Sequence, residues 1–408
     1  MGRLLISLII GAASLVSLGC RDGPAMSTVA AVRDSAGVRI LSVARETARL
    51  SLSASPVLQV GAASGDEDQT LFRASSGFLL PDGRLFAANS GTHEVRVYDR
   101  QGALIDRFGA RGAGPGEFAA LDWMTRIGPD SLAVLDIDQQ RVTAFTIHGE
   151  ALWSRSVSVP LAVPMTGPFY SRSGEFFLLW DSGDIFDQIG KGSVRVGQTA
   201  RNTAALYRYP PDGSEPELVA EVPGPEAAVI ESASGGVATT FPPLGRWTSY
   251  AVDADRIYLG DQASGDIRVF DLEGALVGLV RLPTEDLTVT AADVAAYRDA
   301  VLARASGTPE QRAALLRRID GFPWAPQRPA YGRLMIDDAG RLWVSDWHHL
   351  FAPPDQWTVV DTETGRRWTL SVPAAFDVFW ADDQRVLGRW TDELGVEYLQ
   401  VYEFAEEG

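Results

Sequence analysis

The chain has 408 residues, 46% of them hydrophobic and 22% charged, a composition that describes a folded protein and excludes a disordered one. Its formal net charge of −17 excludes a nucleic-acid partner, because a phosphate backbone is met by a basic face. One cysteine, Cys20, leaves neither a disulfide framework nor a cysteine-based metal site for the domain that follows it.

Taken in order, Met1–Gly19 carries one basic residue, Arg3, then an apolar run from Leu4 to Leu18 and a small residue, Gly19. This is the pattern of a secretory signal, short for a membrane span. Ser17-Leu18-Gly19-Cys20 resembles the bacterial lipobox, which implies diacylation of Cys20 as the new amino terminus. Ser17 stands where that family prefers leucine; an ordinary signal cleaved after Gly19, or an uncleaved anchor, is the rival reading. The expected organisation is a signal over residues 1–20, a small polar tether over 21–37 and one domain over 38–408. The protein is then exported and held in the cell envelope, periplasmic or outer-membrane associated, touching the membrane only through its lipid.

From Leu80 the chain repeats itself. Leu85-Phe-Ala-Ala ends at Asn89, Leu132-Ala-Val-Leu at Asp136, and Phe176-Phe-Leu-Leu at Trp180. Ile257-Tyr-Leu-Gly ends at Asp261, Leu342-Trp-Val-Ser at Asp346, and Val386-Leu-Gly-Arg at Trp390. Each run follows a turn rich in Gly, Asp or Pro, residues that tolerate or preset tight-turn dihedrals. The register continues: Val95, Val142 and Ile267 each open a further strand six residues after the marker. A period of roughly 45 residues with about four strands per unit is the signature of a β-propeller. Six units make the expected fold all-β and six-bladed.

The last unit is one strand short. Val57–Gly61 imitates Ile105–Gly109, so this early strand, with Val38–Val43 as a candidate companion, is expected to complete blade six and close the ring. Two spacings exceed the period. The first holds a loop insertion, Asp181–Asn202, and a Gly/Ala/Pro-rich connection, Pro223–Gly245. The second holds a helical hairpin over about 290–320, between blades four and five. Val294, Tyr297, Val301 and Leu302 give its first helix an apolar face, and Thr308-Pro309-Glu310-Gln311 is a start signal for its second. The hairpin is expected to pack over one face of the ring, as decoration or as a lid.

Gly83–Phe118, with its Asp99-x-x-Gly102 turn and its Phe108-Gly109…Gly114-Pro115-Gly116-Glu117-Phe118 tail, resembles an NHL-type repeat. The remainder, about residues 55–405 in all, resembles bacterial exported six-bladed propellers related to NHL and TolB-like proteins. The resemblance implies the fold. It does not choose an activity, since such propellers include binding scaffolds, lactonases and a peptide-amidating lyase.

Equivalent residues of a propeller lie on one face at similar radius, so Asn89, Asp136, Trp180, Asp261, Asp346 and Trp390 are the candidate ligand ring. The oxygens of Asn89 and the three aspartates suit calcium; with the two tryptophans they suit a sugar or a cationic group. Against this, Asp or Asn at such a position accepts backbone hydrogen bonds in the following turn. Histidine offers little: His93 aligns with Gln140 and Gly265 as a repeat position, His148 lies in a turn, and His348 and His349 are adjacent and would point apart. No zinc motif and no Gly-x-Ser-x-Gly is present, and Gly109–Gly116 lacks the helix and Lys-Ser/Thr end of a phosphate loop. The aromatic stretch Trp343…Trp347-His348-His349-Leu350-Phe351…Trp357 reads equally as a partner contact or as packing. The preferred function is non-catalytic binding of an envelope protein, small molecule or glycan by a monomer without a cofactor. The alternative is a calcium-assisted lactonase or esterase using Asp136, Asp261 and Asp346 at the central channel.

Overall fold

The computed structural model describes residues 30–407 except 46, 47, 64, 66, 158–162, 165–168, 171–173, 233, 234, 306 and 348–352. The signal, Cys20 and most of the tether therefore lie outside the described residues, as do His348 and His349.

Among the described residues six blades, each built on antiparallel strands, follow one another along the chain. Blade one is Ala74–Leu79, Leu85–Asn89, Glu94–Tyr98 and Leu104–Phe108; blade two runs from Trp123–Gly128 to Ala151–Ser156. Blade three has two short inner pieces, Val163–Pro164 and Phe169–Tyr170, then Phe176–Asp181, Thr199–Tyr209 and Glu217–Glu231. Blade four is Ser249–Val252 to Leu276–Arg281, blade five Leu334–Ile336 to Arg367–Ser371, and blade six Phe376–Ala381, Arg385–Thr391 and Glu397–Glu406.

The core is not one mass but six seams. Phe86, Val95 and Val97 of blade one meet Met124, Val134 and Phe145 of blade two. Corresponding clusters join two to three, three to four, four to five and five to six. The last joins six back to one, with Leu387, Leu399 and Val401 against Leu79, Leu85 and Tyr98. A strand whose alternate faces both meet apolar neighbours needs apolar residues on both, which is why the second strands read as unbroken runs. Inner strands are tied directly too: Met124 N–H donates to Ser76 Oγ at 2.9 Å, Leu334 N–H to Ser249 Oγ at 2.9 Å, and Asp338 N–H to Ala381 O at 3.0 Å.

Leu58–Val60 pairs antiparallel with Glu397–Glu406 and becomes the fourth strand of blade six, as expected. Val38–Ser42 does not join it. That strand runs parallel to Leu276–Arg281 as a fifth strand of blade four, with Leu41 fully buried in the seam to blade five. Ala31–Ser35, read as tether, folds back on it as a sixth. Between them Ala48–Leu52 pairs with Arg367–Ser371 of blade five and with the end of Glu397–Glu406. Alternation shows that a segment is a strand; it says nothing about which edge accepts it.

Pro223–Gly245 is also more ordered than a connection. Pro223 pairs with Thr203 at the edge of an irregularity that leaves Gly224 and Pro225 opposite Asn202, where the ladder tolerates proline, and the strand continues to Glu231 before returning as Val237–Thr240. The insertion before it holds a short helix, Ile185–Gly190, whose Ile185 packs with Val194, Ala227 and Val229 in a small separate core.

The helices Ala291–Arg304 and Pro309–Asp320 begin at capping boxes, Thr290 with Asp293 and Thr308 with Gln311. Their stems are zipped by a bridge between Thr288 and Gln327 and by Arg328 N–H donating to Leu287 O at 2.8 Å. Tyr297 meets Trp324 edge to face at 5.6 Å, and Val301 and Ile319 are buried.

Candidate functional site at the channel mouth

The second strand of each blade ends on the face where the chain also enters each inner strand, and the marker residues stand there. Asn89 is fully buried; its Oδ1 accepts from Phe72 N–H at 2.7 Å and its Nδ2 donates to Thr92 Oγ1 at 2.9 Å. Asp136, also buried, accepts from the N–H groups of Ala119 (2.7 Å), Ala120 (3.2 Å) and Gln139 (3.0 Å). Each thereby clasps the segment leading into its own blade.

In blade four this task falls not to Asp261 but to Gln262, whose Oε1 accepts from Trp247 N–H at 2.8 Å and whose Nε2 donates to Gly332 O at 2.8 Å. The Asp261 carboxylate accepts from Ala263 N–H at 3.0 Å in a local turn. In blade five the buried residue is Ser345, whose Oγ accepts from Arg333 N–H at 2.8 Å, while Asp346 is exposed. Neighbours in a strand point to opposite faces, so a one-residue slip changes which side chain enters the seam. Trp180 is core: its Nε1 donates to Tyr209 Oη at 3.0 Å, and that hydroxyl donates to Val157 O at 3.0 Å. Trp390 is half-buried against Tyr398, with ring centres 5.4 Å apart.

The six do not form one ligand ring, since Asn89, Asp136 and Trp180 are each buried within their own seam. Asp136, Asp261 and Asp346 do not converge either: among the described residues no group of three His, Cys, Asp or Glu side chains is placed to hold a metal. His93 and Gln140 share a left-handed backbone, φ 59° and 46°, as equivalent turn positions should. The glycine-rich tail folds so that Phe118 enters the seam between blades one and two, with Glu117 accepting from Gly114 N–H at 2.8 Å. Trp343 and Trp357 of the aromatic stretch are buried edge to face at 5.9 Å, which makes them packing residues.

The inner strands bring together what the repeat markers do not. Arg333 Nη2 lies 3.1 Å from Asp377, Arg389 lies 3.5 Å from Asp377 and 3.6 Å from Glu397. Arg389 Nη1 also donates to Ala74 O at 2.7 Å, and Glu397 accepts from Ala74 N–H at 2.8 Å. This network spans blades five, six and one. On the other flank Asp122 accepts from Ile137 N–H at 3.0 Å. Burial pushes its carboxyl above the ordinary carboxylate value, Asp136 and Asp138 add to the rise, and the Ile137 hydrogen bond and nearby Arg73 oppose it. Arg73, Asp122, Arg333 and Asp377 all stand just before or within the first two positions of an inner strand. Extending the repeat register upstream from the second strands would have singled them out.

At the other end Arg126 of blade two reaches Asp338 of blade five at 3.6 Å. Blades two and five are opposite members of a ring of six, so this pair crosses the channel floor. Burial raises the carboxyl of Asp338 as well. The mouth is rimmed by apolar surface: Phe72 is 58% exposed and Leu394 88%, while Phe186 and Phe241 project from blade three and its exit.

A family described as a 6-bladed beta-propeller matches residues 67–170, from before blade one into the inner pieces of blade three. No curated protein matches the chain. Among solved structures, a member of the DUF4221 family from Bacteroides vulgatus is 12% identical, with a TM-score of 0.51 over 89% of this chain and 100% of that one. A protein of Bacteroides fragilis to which export is ascribed is 10% identical, TM-score 0.48, over 90% of this chain and 100% of that one. Regucalcin of Agrobacterium tumefaciens, described as a calcium-binding protein, is 10% identical, TM-score 0.42, over 88% and 96%. The likeness extends to the fold, a six-bladed β-propeller, and carries no chemistry with it.

Proposed function

We propose that the protein is a lipid-anchored binding propeller of the bacterial cell envelope that takes a glycan, a small polar molecule or a peptide segment of a partner protein at its channel mouth. The observation that carries this reading is the Arg333–Asp377–Arg389–Glu397 network. Four charged side chains fixed by three blades present donors and acceptors in a set geometry, and preorganised polar groups beside aromatic surface are what a polar ligand requires. Trp390 and Asp122 complete the mouth as a stacking surface and a partly buried acid. No helix among the described residues is long and apolar enough to cross a membrane. Export and anchoring rest on Met1–Cys20.

The test is calorimetry with envelope oligosaccharides and short peptides on the chain beginning after Cys20, comparing wild type with Trp390→Ala and Asp122→Asn. Binding weakened about tenfold or more in both, measured at a temperature where each variant is fully folded, supports the site. A ligand indifferent to both substitutions removes it from the mouth, and turnover of a lactone or ester dependent on calcium would replace binding by catalysis. For the anchor, Cys20→Ser should abolish fatty-acid labelling and release the protein from the membrane fraction.

A further inference from the structure

Away from the mouth, the outer end of the seam between blades four and five holds a cavity of about 280 Å³. Its walls are fixed by a clamp. Arg39 donates from Nη1 to Thr362 O at 2.8 Å and from Nη2 to Glu363 O at 2.7 Å. Arg256 pairs with Glu363 at 2.9 Å, and the Tyr258 hydroxyl lies 3.3 Å from Thr362 Oγ1. The clamp holds the blade-five turn against blade four at its edge, and the cavity lies behind it.

That floor is apolar. Val269 and Val280 are buried, Val277 is half-buried, and Gly278 between the latter two has no side chain to fill the space. A Cβ at Gly278 would stand 3.3 Å from Val269 Cβ, so the glycine is what keeps the floor open. The rim is charged with both signs. The guanidinium of Arg39 makes its contacts to two neutral carbonyls, so its charge is available to an anion at the cavity. Asp255 is exposed on the same rim, and Asp271 beside it accepts from Ala275 N–H at 2.7 Å through one carboxylate oxygen.

An apolar floor under a rim of one free positive and two negative groups fits a zwitterion with an apolar body. The volume sits just below the ~300–1,000 Å³ of drug-sized pockets, which limits the occupant to amino-acid size. We propose that this cavity binds a free α-amino acid with a large apolar side chain. The side chain lies on the Val269–Val277–Val280 floor, the carboxylate meets Arg39, and the ammonium meets Asp271 and Asp255. The geometry is independent of the channel mouth, so the two sites stand or fall separately.

The experiment is isothermal titration of the chain beginning after Cys20 with L-phenylalanine and L-leucine, against 3-phenylpropanoate, phenethylamine and L-serine. Saturable binding of phenylalanine or leucine is expected, weaker by about tenfold for each analogue that lacks one charge or the apolar body. Arg39→Gln should weaken the amino acids equally. Because that change also loosens the clamp, Val277→Trp is the second variant: it fills the floor from a half-exposed position and should abolish binding while the free protein melts as before. Equal affinity for the single-charge analogues, undiminished binding in Val277→Trp, or no saturation by either amino acid up to about 10 mM each overturns the proposal.

Discussion

Asp136→Ala separates a structural marker from a ligand. The carboxylate is buried and takes three backbone N–H groups at 2.7, 3.0 and 3.2 Å. A hydrogen bond to a charged acceptor contributes about 1.5–3 kcal/mol, and a donor left unmet costs about 1–3. Ala119, Ala120 and Gln139 are half-buried, so water recovers part of each loss and about 1–2 kcal/mol per donor is a fair figure. The expected cost is then about 3–6 kcal/mol. An unfolding entropy of about 2.1 cal/mol/K per residue makes this a fall of roughly 4–8 °C in Tm for a domain of this size. Asp261→Ala is the internal control, since Asp261 accepts one N–H at 3.0 Å in a half-exposed turn and should cost under about 1 kcal/mol. Differential scanning fluorimetry with and without calcium reads both. The reasoning is refuted if the two variants lose stability equally, or if calcium stabilises wild type and the gain disappears in both.

Asp122 gives a pH signature. Burial raises its folded value above that of the unfolded chain, so the native state keeps the proton longer and this group makes stability fall as pH rises through the window from about 4 upward. Asp122→Asn should remove that limb, and denaturation midpoints at pH 3.5 to 7 should show the variant gaining on wild type toward neutrality; parallel curves would contradict the sign. A Cβ on Gly260 would overlap the Tyr331 hydroxyl in the four–five seam, so Gly260→Ala should cost about 1–3 kcal/mol, and Tyr331→Phe should return part of it in the double variant. Additive losses would show that the two do not share that space. Because residues 288 and 327 are bridged, replacing 290–325 by a short turn should leave the circular dichroism spectrum all-β and shift Tm by only a few degrees. Collapse of the fold would mean that the helices support the ring. Val60, buried where Leu58–Val60 closes blade six, should not tolerate Asp: the unpaired charge costs several kcal/mol, and size-exclusion chromatography should show an opened, aggregating ring rather than the wild-type peak.

The sequence by itself determined the features that are written locally. Turn residues and uninterrupted apolar second strands gave the blade count, Thr290 and Thr308 marked the helix starts, and the likeness of Val57–Gly61 to Ile105–Gly109 named the strand that closes blade six. These depend on neighbours within a few residues, where dihedral preference and side-chain period are decisive. Tertiary structure alone decided the partner of Val38–Ser42, because an edge accepts any strand whose alternation suits it, and the choice depends on Leu41 filling a seam with Leu342 and Val360 some three hundred residues away. It also decided which marker faces inward: Gln262 and Ser345 took the clasps that Asp261 and Asp346 were expected to share, a slip of one residue that reverses a side chain. The network of Arg333, Asp377, Arg389 and Glu397 forms because blade six packs beside blade five, and ring closure adds its hold on Ala74 of blade one. Arg333 and Asp377 hold similar places in their inner strands, but which charges pair is set by how the blades pack, and so the network became visible only in the fold.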